Sequence, residues 1–512
     1  MQPAIDAAQQ NFDATVIIGG GPAGLTAAHE LVRKNILPIV LEKSDQLGGI
    51  ARTAKYNGNR LDIGGHRFFT KIPEVERFWR DVLGEDFLRV PRKSRIFYQG
   101  RFFEYPLVAV NAFINLGPIE SLRIFLSCLR WKAFPCPQED TFEEYVINRF
   151  GKRLYLTFFK TYTEKVWGIP CNQIRADWAA QRIRGLSLKT AVLNALTGRG
   201  EAKTLIKEFD YPRLGPGMLW EKCGEFVEQH GGQVLMQAET IRLELDGKQV
   251  SRVVYRQNGE TRTVAVNHVL SSMPLDDLIS RLSPAPPDDV LAAARGLAYR
   301  DFLIVGLFVE QENLFPDNWL YVHTPGVRVG RIQNFGNWSA AMVHNAGESG
   351  LGMEYFCSRG DDLWEMPDAA LIALATRELG MLGLADITKV RDGVVVRQEK
   401  AYPVYDGEYR RHVDVIKNYL GTIENLQTIG RNGLHRYNNQ DHSMQTAFLA
   451  VRNILGEHHD LWDVNTERSY HEDFQTSNKD GASLPPQQGA GDSSNGKSSA
   501  LEKTRAHLES SN

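Results

Sequence analysis

The residues best placed for chemistry come early in the chain. Gly19, Gly21 and Gly24 stand in the spacing G-x-G-x-x-G, after the β-branched run Thr15-Val16-Ile17-Ile18 and before a helical pattern of Leu25, Ala28, Leu31 and Val32. The first glycine permits a tight strand-to-helix turn, the second lets a pyrophosphate approach the backbone, and the third lets helix pack on strand. The helix start offers free N–H groups and a partial positive charge to phosphate. A second apolar run, Ile36 to Leu41, ends on Glu42, where a carboxylate can accept from ribose hydroxyls. An acid at that point disfavours a 2′-phosphorylated ribose, so the spacing points to FAD or NAD rather than NADP.

Two further segments extend this pattern. Gly48-Gly49-Ile50-Ala51-Arg52-Thr53 lies just past Glu42, followed by Leu61-Asp62-Ile63-Gly64-Gly65-His66. Near the C-terminus, a strand-like run Leu426 to Ile429 leads into Gly430-Arg431-Asn432-Gly433, then Tyr437 and Asp441. On these residues the chain resembles the FAD-binding superfamily of flavin amine oxidases, protoporphyrinogen oxidase, phytoene desaturase and UDP-galactopyranose mutase. The resemblance implies that Gly49, Arg52 and Gly65 meet the flavin end of FAD and that Gly430 and Arg431 complete its site. No second G-x-G-x-x-G is present to hold a nicotinamide cofactor, so FAD alone is expected. No cysteine follows Cys357, so the resemblance implies a non-covalently held flavin.

One branch matches further. Tyr162-Thr163-Glu164-Lys165-Val166-Trp167-Gly168 resembles the YTEKQWG segment of UDP-galactopyranose mutases. Gly64-Gly65-His66-Arg67-Phe68-Phe69-Thr70 is similar to their G-x-H-x-F-H-T loop, Tyr98 to Phe103 to their Y-x-G-K-L-F hairpin, and Tyr402-Pro403-Val404 to their YPV. This resemblance implies catalytic positions at His66, Trp167 and Tyr402, with His66 on the flavin face and Trp167 walling the sugar pocket. It also implies that Tyr437 meets a diphosphate. The family's phosphate-binding arginine falls at Gly185, with Arg182 and Arg184 the nearby candidates; its second loop histidine is Phe69, and a diphosphate tyrosine is His435. The substrate implied is a nucleotide- or lipid-linked sugar, used in cell-surface glycan synthesis. The alternative is a protoporphyrinogen oxidase- or phytoene desaturase-type dehydrogenase of a larger apolar substrate, suggested by Phe68, Phe69, Phe102 and Phe103. Each side chain also has a structural reading: Trp167 as core, His66 as a hydrogen-bonded structural histidine, Glu164 and Lys165 as an ion pair, and Arg182 and Arg184 with Lys189 as a solvated helix face.

The elements that must position these groups follow from periodicity. Strand, turn, helix and strand over residues 15–42 make a βαβ unit. Between Gln233 and Pro274 the pattern turns to period two, with turns at Asp246-Gly247 and Asn258-Gly259, giving a three-stranded meander and a following strand at His268–Met273. Residues 87–200 read as mainly helical after a hairpin around Tyr98–Arg101. The fold class is α/β: a Rossmann-type, GR2-like FAD-binding domain discontinuous over 12–75, 215–290 and 395–465. A mainly helical plus β substrate domain is inserted at 76–214 and 291–394. From Gln475 to Asn512 no aromatic residue occurs and polar residues dominate, which reads as a disordered tail.

Composition narrows the class. Among 512 residues, 59 Lys+Arg against 62 Asp+Glu leave a net charge of -3, which argues against broad nucleic-acid binding. The five cysteines form no CxxC pair, so no metal site and a reducing compartment are expected. Met1 to Gln10 carries no secretory signal pattern. The longest uncharged membrane candidate, Tyr105 to Ile119, is short of the roughly 20 residues a spanning helix needs. A cytoplasmic enzyme with room for peripheral membrane contact is the expectation; its oligomeric state is not encoded in any motif.

Overall fold

The computed structural model describes residues 14–176 and 207–465. The tail read at 475–512, and Arg182, Arg184 and Lys189, lie outside the described residues.

The βαβ unit forms as expected: strand β1 (Ala14–Ile18), helix α1 (Pro22–Arg33) and strand β2 (Pro38–Leu41). Strand β1 pairs in parallel with β2 on one side and with the end of the long strand Glu260–Ser271 on the other. Parallel strands Gln233–Leu235 and Leu426–Thr428 extend this order at either side. Because alternate residues face opposite sides of a sheet, Ile17 and Val40 point to one core while Val16, Ile18 and Leu41 point to another. The first face packs α1 against the helix Gln440–Ile454 through Ala27, Ala28, Ala447 and Ala450, small side chains that let the layers approach closely.

The expected meander is present, and one of its strands has two roles. Residues 260–265 pair antiparallel with Gln249–Gln257, whereas 266–271 pair in parallel with β1. The burial pattern explains the division: the first four residues are exposed and the last three buried. At the connecting turn Asn258 and Gly259 take φ of +53° and +81°, the conformation that Asn-Gly favours in tight hairpins.

A second, seven-stranded sheet runs in the order 390–403, 299–309, 349–357, 331–334, 319–322, 94–98, 101–104. Its long strand Tyr299–Val309 is almost wholly buried. Leu303, Val305 and Leu307 face the helix Asp368–Met381, while Phe302, Ile304 and Phe308 face Leu61 and Ile63. The strand Val390–Pro403 crosses the boundary expected at 394/395. It pairs along its length with Tyr299–Val309, so residues 395–403 sit in the second sheet rather than with the parallel one. The hairpin Ser94–Tyr98/Arg101–Glu104 precedes helices Ala109–Leu116, Pro118–Ala133 and Phe142–Leu154.

Candidate functional site

A cavity of about 830 Å³ lies between the two sheets, within the range of small-molecule sites. One end is the β1–α1 turn. Gly19 has φ +104°, and a Cβ there would strike the Ser272 hydroxyl; a Cβ on Gly24 would strike the carbonyl of Gly19. Geometry therefore enforces both glycines. Around Gly21 only the Gly48-Gly49 backbone comes near, no closer than 3.7 Å to a notional Cβ, which leaves this stretch of main chain open to a ligand. Glu42 is buried beside it: its Oε2 accepts from the Gly20 N–H at 2.6 Å and its Oε1 from the N–H and hydroxyl of Ser44 at 2.8 and 2.7 Å. The carboxylate is thus fixed in place on the cavity wall.

The middle of the cavity is framed by the 48–52 and 430–431 segments. Arg52 donates to the carbonyl of Gly49 at 2.8 Å and to Gln398 Oε1 at 2.5 Å. Gly430, at φ +84°, donates to Thr446 Oγ1 at 2.9 Å. Two buried wall acceptors, Asn432 Oδ1 and Thr240 Oγ1, have no protein hydrogen-bond partner among the described residues. A buried polar atom without a partner costs free energy, so these two suit a ligand bearing donors. His66 lies on the same wall. Burial, with Arg431 and Arg331 nearby, pushes it down to about 4, so near neutral pH the ring is uncharged. Its Nε2–H donates to the Ile63 carbonyl at 3.0 Å, which fixes the ring.

The far end is cationic and aromatic. Arg431 donates from Nε to the Asn438 carbonyl and from Nη1 to that of Ala401, at 2.8 and 3.0 Å. Its guanidinium lies 4.9 Å from the ring centre of Tyr437 and 5.7 Å from that of Tyr402, and those two rings stack at 5.6 Å. Arg331 forms an ion pair with Glu354, which is fully buried in the strand Ser349–Cys357. Gln333 Nε2 donates to the other carboxylate oxygen at 2.6 Å. Burial is the largest influence on Arg331 and works against its charge, but the Glu354 carboxylate together with Tyr402, Tyr162 and Tyr437 overcomes it and holds the guanidinium strongly protonated. Arg331 Nη2 donates to the Tyr402 hydroxyl at 3.2 Å. Burial raises that phenol, so it stays neutral and can donate its proton onward.

Gly19, Gly21, Glu42, Gly49, Arg52, Gly65, His66, Tyr402, Gly430, Arg431 and Tyr437 therefore all line one cavity, with Gly24 packed behind the turn. Trp167 does not. It is buried with Phe142, Tyr145 and Phe150 in the core of the helical segment and is not among the cavity-lining residues. The cause is helical geometry. Tyr162 and Trp167 are five residues apart, roughly 140° around a helix, and Tyr162 takes the other side, stacked on His323 at 4.7 Å. Glu164 and Lys165 are not an ion pair either: Lys165 Nζ donates to the carbonyls of Val322, Thr324 and Val329, and Glu164 accepts from the Cys171 N–H. His435 is buried edge-on to Tyr299 and does not line the cavity.

Sequence reasoning missed Arg331 and Glu354. One signal was available: a lone Glu354 within an otherwise uncharged strand implies a buried partner, since buried carboxylates are seldom unpaired.

Comparison with known proteins agrees with this architecture. Residues 17–82 match the family model of an NAD(P)-binding Rossmann-like domain. Pseudooxynicotine dehydrogenase of a Pseudomonas species is 41% identical over 73 residues, 14% of each chain. The dTDP-fucopyranose mutase of Escherichia coli is 28% identical over 169 residues, 32% of this chain and 44% of the mutase. Both alignments span less than half of the relative. Along the whole fold, the crystal structure of reduced UDP-galactopyranose mutase superposes with a TM-score of 0.77 at 21% identity, covering 89% of this chain and 98% of that one. By sequence and fold together, the chain is related to the superfamily of amine oxidases, porphyrinogen oxidases and UDP-galactopyranose mutase.

Proposed function

We propose that this chain is an FAD-dependent enzyme acting on an activated, nucleotide- or lipid-linked sugar in the manner of a UDP-galactopyranose mutase, in the cytoplasm and toward cell-surface glycans. The Gly19–Gly24 turn would hold the cofactor diphosphate, Glu42 its ribose, and Gly49, Arg52, Gly65, Gly430 and Arg431 the flavin end. The main-chain opening at Gly21 and the unpartnered Asn432 Oδ1 and Thr240 Oγ1 suit such a ligand. A bound flavin supplies a ring nitrogen that accepts hydride or, when reduced, attacks an electrophilic carbon.

The observation that carries the substrate reading is the far end. Arg331 is kept charged by Glu354, and Tyr402 and Tyr437 stack beside Arg431. A fixed guanidinium with neutral phenols suits a phosphate and a polyhydroxylated ring. The residues would do separate work: Arg431, held by the Asn438 and Ala401 carbonyls, supplies positive charge for the anion, Arg331, its charge matched by Glu354, orients Tyr402, Tyr402 donates its free proton, and uncharged His66 packs without adding a cation. Arg331 would join Arg182 and Arg184, which lie outside the described residues, as a candidate for the phosphate. The apolar alternative loses two of its phenylalanines, since Phe102 packs on Phe97 of the second sheet and Phe103 on Phe158 of the helical segment, both off the cavity wall.

The test is anaerobic incubation of dithionite-reduced protein with a panel of sugar nucleotides and polyprenyl-linked sugars. Isomerisation that needs reduced flavin and leaves it reduced supports the mutase reading. Stoichiometric oxidation of the sugar by oxidised flavin would replace it with a dehydrogenase, and absence of flavin absorbance after reconstitution would remove both.

A further inference from the structure

Away from the cavity, the helices Ala109–Leu116 and Pro118–Ala133 present large apolar side chains to solvent. On the first, Val110, Phe113 and Ile114 are exposed at the i, i+3, i+4 spacing of one helical face, Ile114 to 70%. On the second, Ile119, Leu122, Leu126 and Leu129 form a single outward stripe, with Ile119 69% exposed, while Ile124 and Cys128 turn inward. Beyond it Phe134 is 75% exposed. Single exposed apolar residues are ordinary, but a contiguous face of this size marks an interaction surface.

The charges around the stripe identify its partner. At 3.6 residues per turn, Arg123 and Arg130 fall along one flank and Lys132 along the other. Between Tyr105 and Phe134 the sole acid is Glu120, which lies off the stripe and is ion-paired to Arg153 and Arg123. An apolar stripe edged on both sides by long cations is the arrangement of a helix lying in the membrane interface: apolar side chains enter the acyl boundary and cations rise to anionic headgroups. The second helix is about 24 Å long at 1.5 Å per residue, and none of the described helices is long and apolar enough to cross a membrane. The geometry points to an in-plane contact, and we infer that this helix pair docks the protein on an anionic lipid surface. The face also adjoins the site: Tyr105, at its start, packs on Tyr321 at 4.7 Å, and Tyr321 on Tyr162 at 5.7 Å, beside Arg331.

The test is flotation of the full-length, flavin-reconstituted protein with vesicles of equal parts phosphatidylcholine and phosphatidylglycerol. Binding is expected, to fall about fivefold for each of Arg123, Arg130 and Lys132 changed to Gln, and to weaken with salt. The triple variant Ile114→Asp, Ile119→Asp, Leu126→Asp should lose binding by tenfold or more while keeping flavin absorbance and solubility. In a separate Ile119→Trp protein, tryptophan emission should shift to the blue on adding vesicles. The proposal is overturned if the unmodified protein stays with the soluble fraction. It is equally overturned if the triple variant converts a dimer to a monomer without any vesicle binding in the parent, which would make a second copy the occupant. It also falls if the triple variant unfolds at lower urea than the parent while neither binds vesicles, which would mean the protein's own chain covers the face. None of these readouts depends on turnover, so the sugar reading stands or falls separately.

Discussion

The two ends of the cavity are built in different ways. The β1–α1 end is main chain: a glycine turn, a helix start and one carboxylate, all within residues 19–44. The Arg331 end is side chain: a guanidinium, a buried carboxylate and stacked phenols drawn from residues 331, 354, 402 and 437, on separate elements. On the proposed function the first end would bind by shape and dipoles, so its tolerance is set by sterics. The second would bind through charged and phenolic side chains held in a buried network, so its tolerance is set by electrostatics. This contrast predicts that substitutions should fail differently at each end.

The largest effect is expected at Glu354. Removing it in Glu354→Ala leaves Arg331 buried and unpaired, a loss of about 3–5 kcal/mol in stability, read as a lower urea midpoint. The double variant Arg331→Met, Glu354→Leu should regain most of that stability without regaining turnover. Flavin content per folded molecule should hold in both. If flavin is lost in step with Glu354, the two ends are one unit and the contrast is broken.

At the opposite end the expected failure is steric. In Gly24→Val the added side chain meets the Gly19 carbonyl, an overpacking that costs about 1–3 kcal/mol. It should appear as roughly a 10- to 100-fold loss of flavin affinity by titration. The urea midpoint of the flavin-free protein should change less than in Glu354→Ala.

The same contrast explains what could be read from sequence. The β1–α1 end was legible because its parts are local and its glycines are required by φ and by close approach at Gly19 and Gly24. The parallel strands and the meander were legible too, through β-branched runs, period-two alternation and the Asp246-Gly247 and Asn258-Gly259 turns. The Arg331 end was half legible. Tyr402, Tyr437 and Arg431 came from resemblance, whereas Arg331 and Glu354 meet only because their strands are neighbours in the second sheet. Trp167 was misplaced because a matching segment does not say which face of a helix meets the cavity. The run Tyr105–Ile119 stood out as uncharged, but length alone could only exclude spanning; the outward stripe required the helices.

A smaller effect separates charge from geometry at the far end. Arg331→Lys keeps the cation but loses the planar fork that engages Glu354 and Tyr402 together. We expect about a 10-fold loss in kcat/KM, carried mainly by KM, with flavin binding unchanged. An equal loss confined to kcat would place Arg331 in the reacting step rather than in anion binding.

A separate prediction is a pH response whose sign differs between buried rings and a buried carboxyl. Burial holds the rings of His66 at about 4, His323 at about 3 and His435 at about 4, against an ordinary 6.5. Between pH 6.5 and 4 the unfolded chain binds protons that these folded rings refuse. Their stabilisation, complete above pH 6.5, is therefore lost as pH falls, at up to about 1.4 kcal/mol per pH unit for each. On the hairpin of strands Thr53–Tyr56 and Asn59–Asp62, burial pushes Asp62 up to about 7, partly offset by hydrogen bonds from Tyr211 and Thr53. Its contribution has the opposite sign: it is present below pH 3.8 and lost as pH rises toward 7. Three rings outweigh one carboxyl, so the urea midpoint should drop from pH 7 to pH 5. His323→Gln should flatten that drop and Asp62→Asn should steepen it. If the two substitutions move the slope in the same direction, the opposite linkage of the rings and the Asp62 carboxyl is wrong, because only opposite proton linkages give opposite changes.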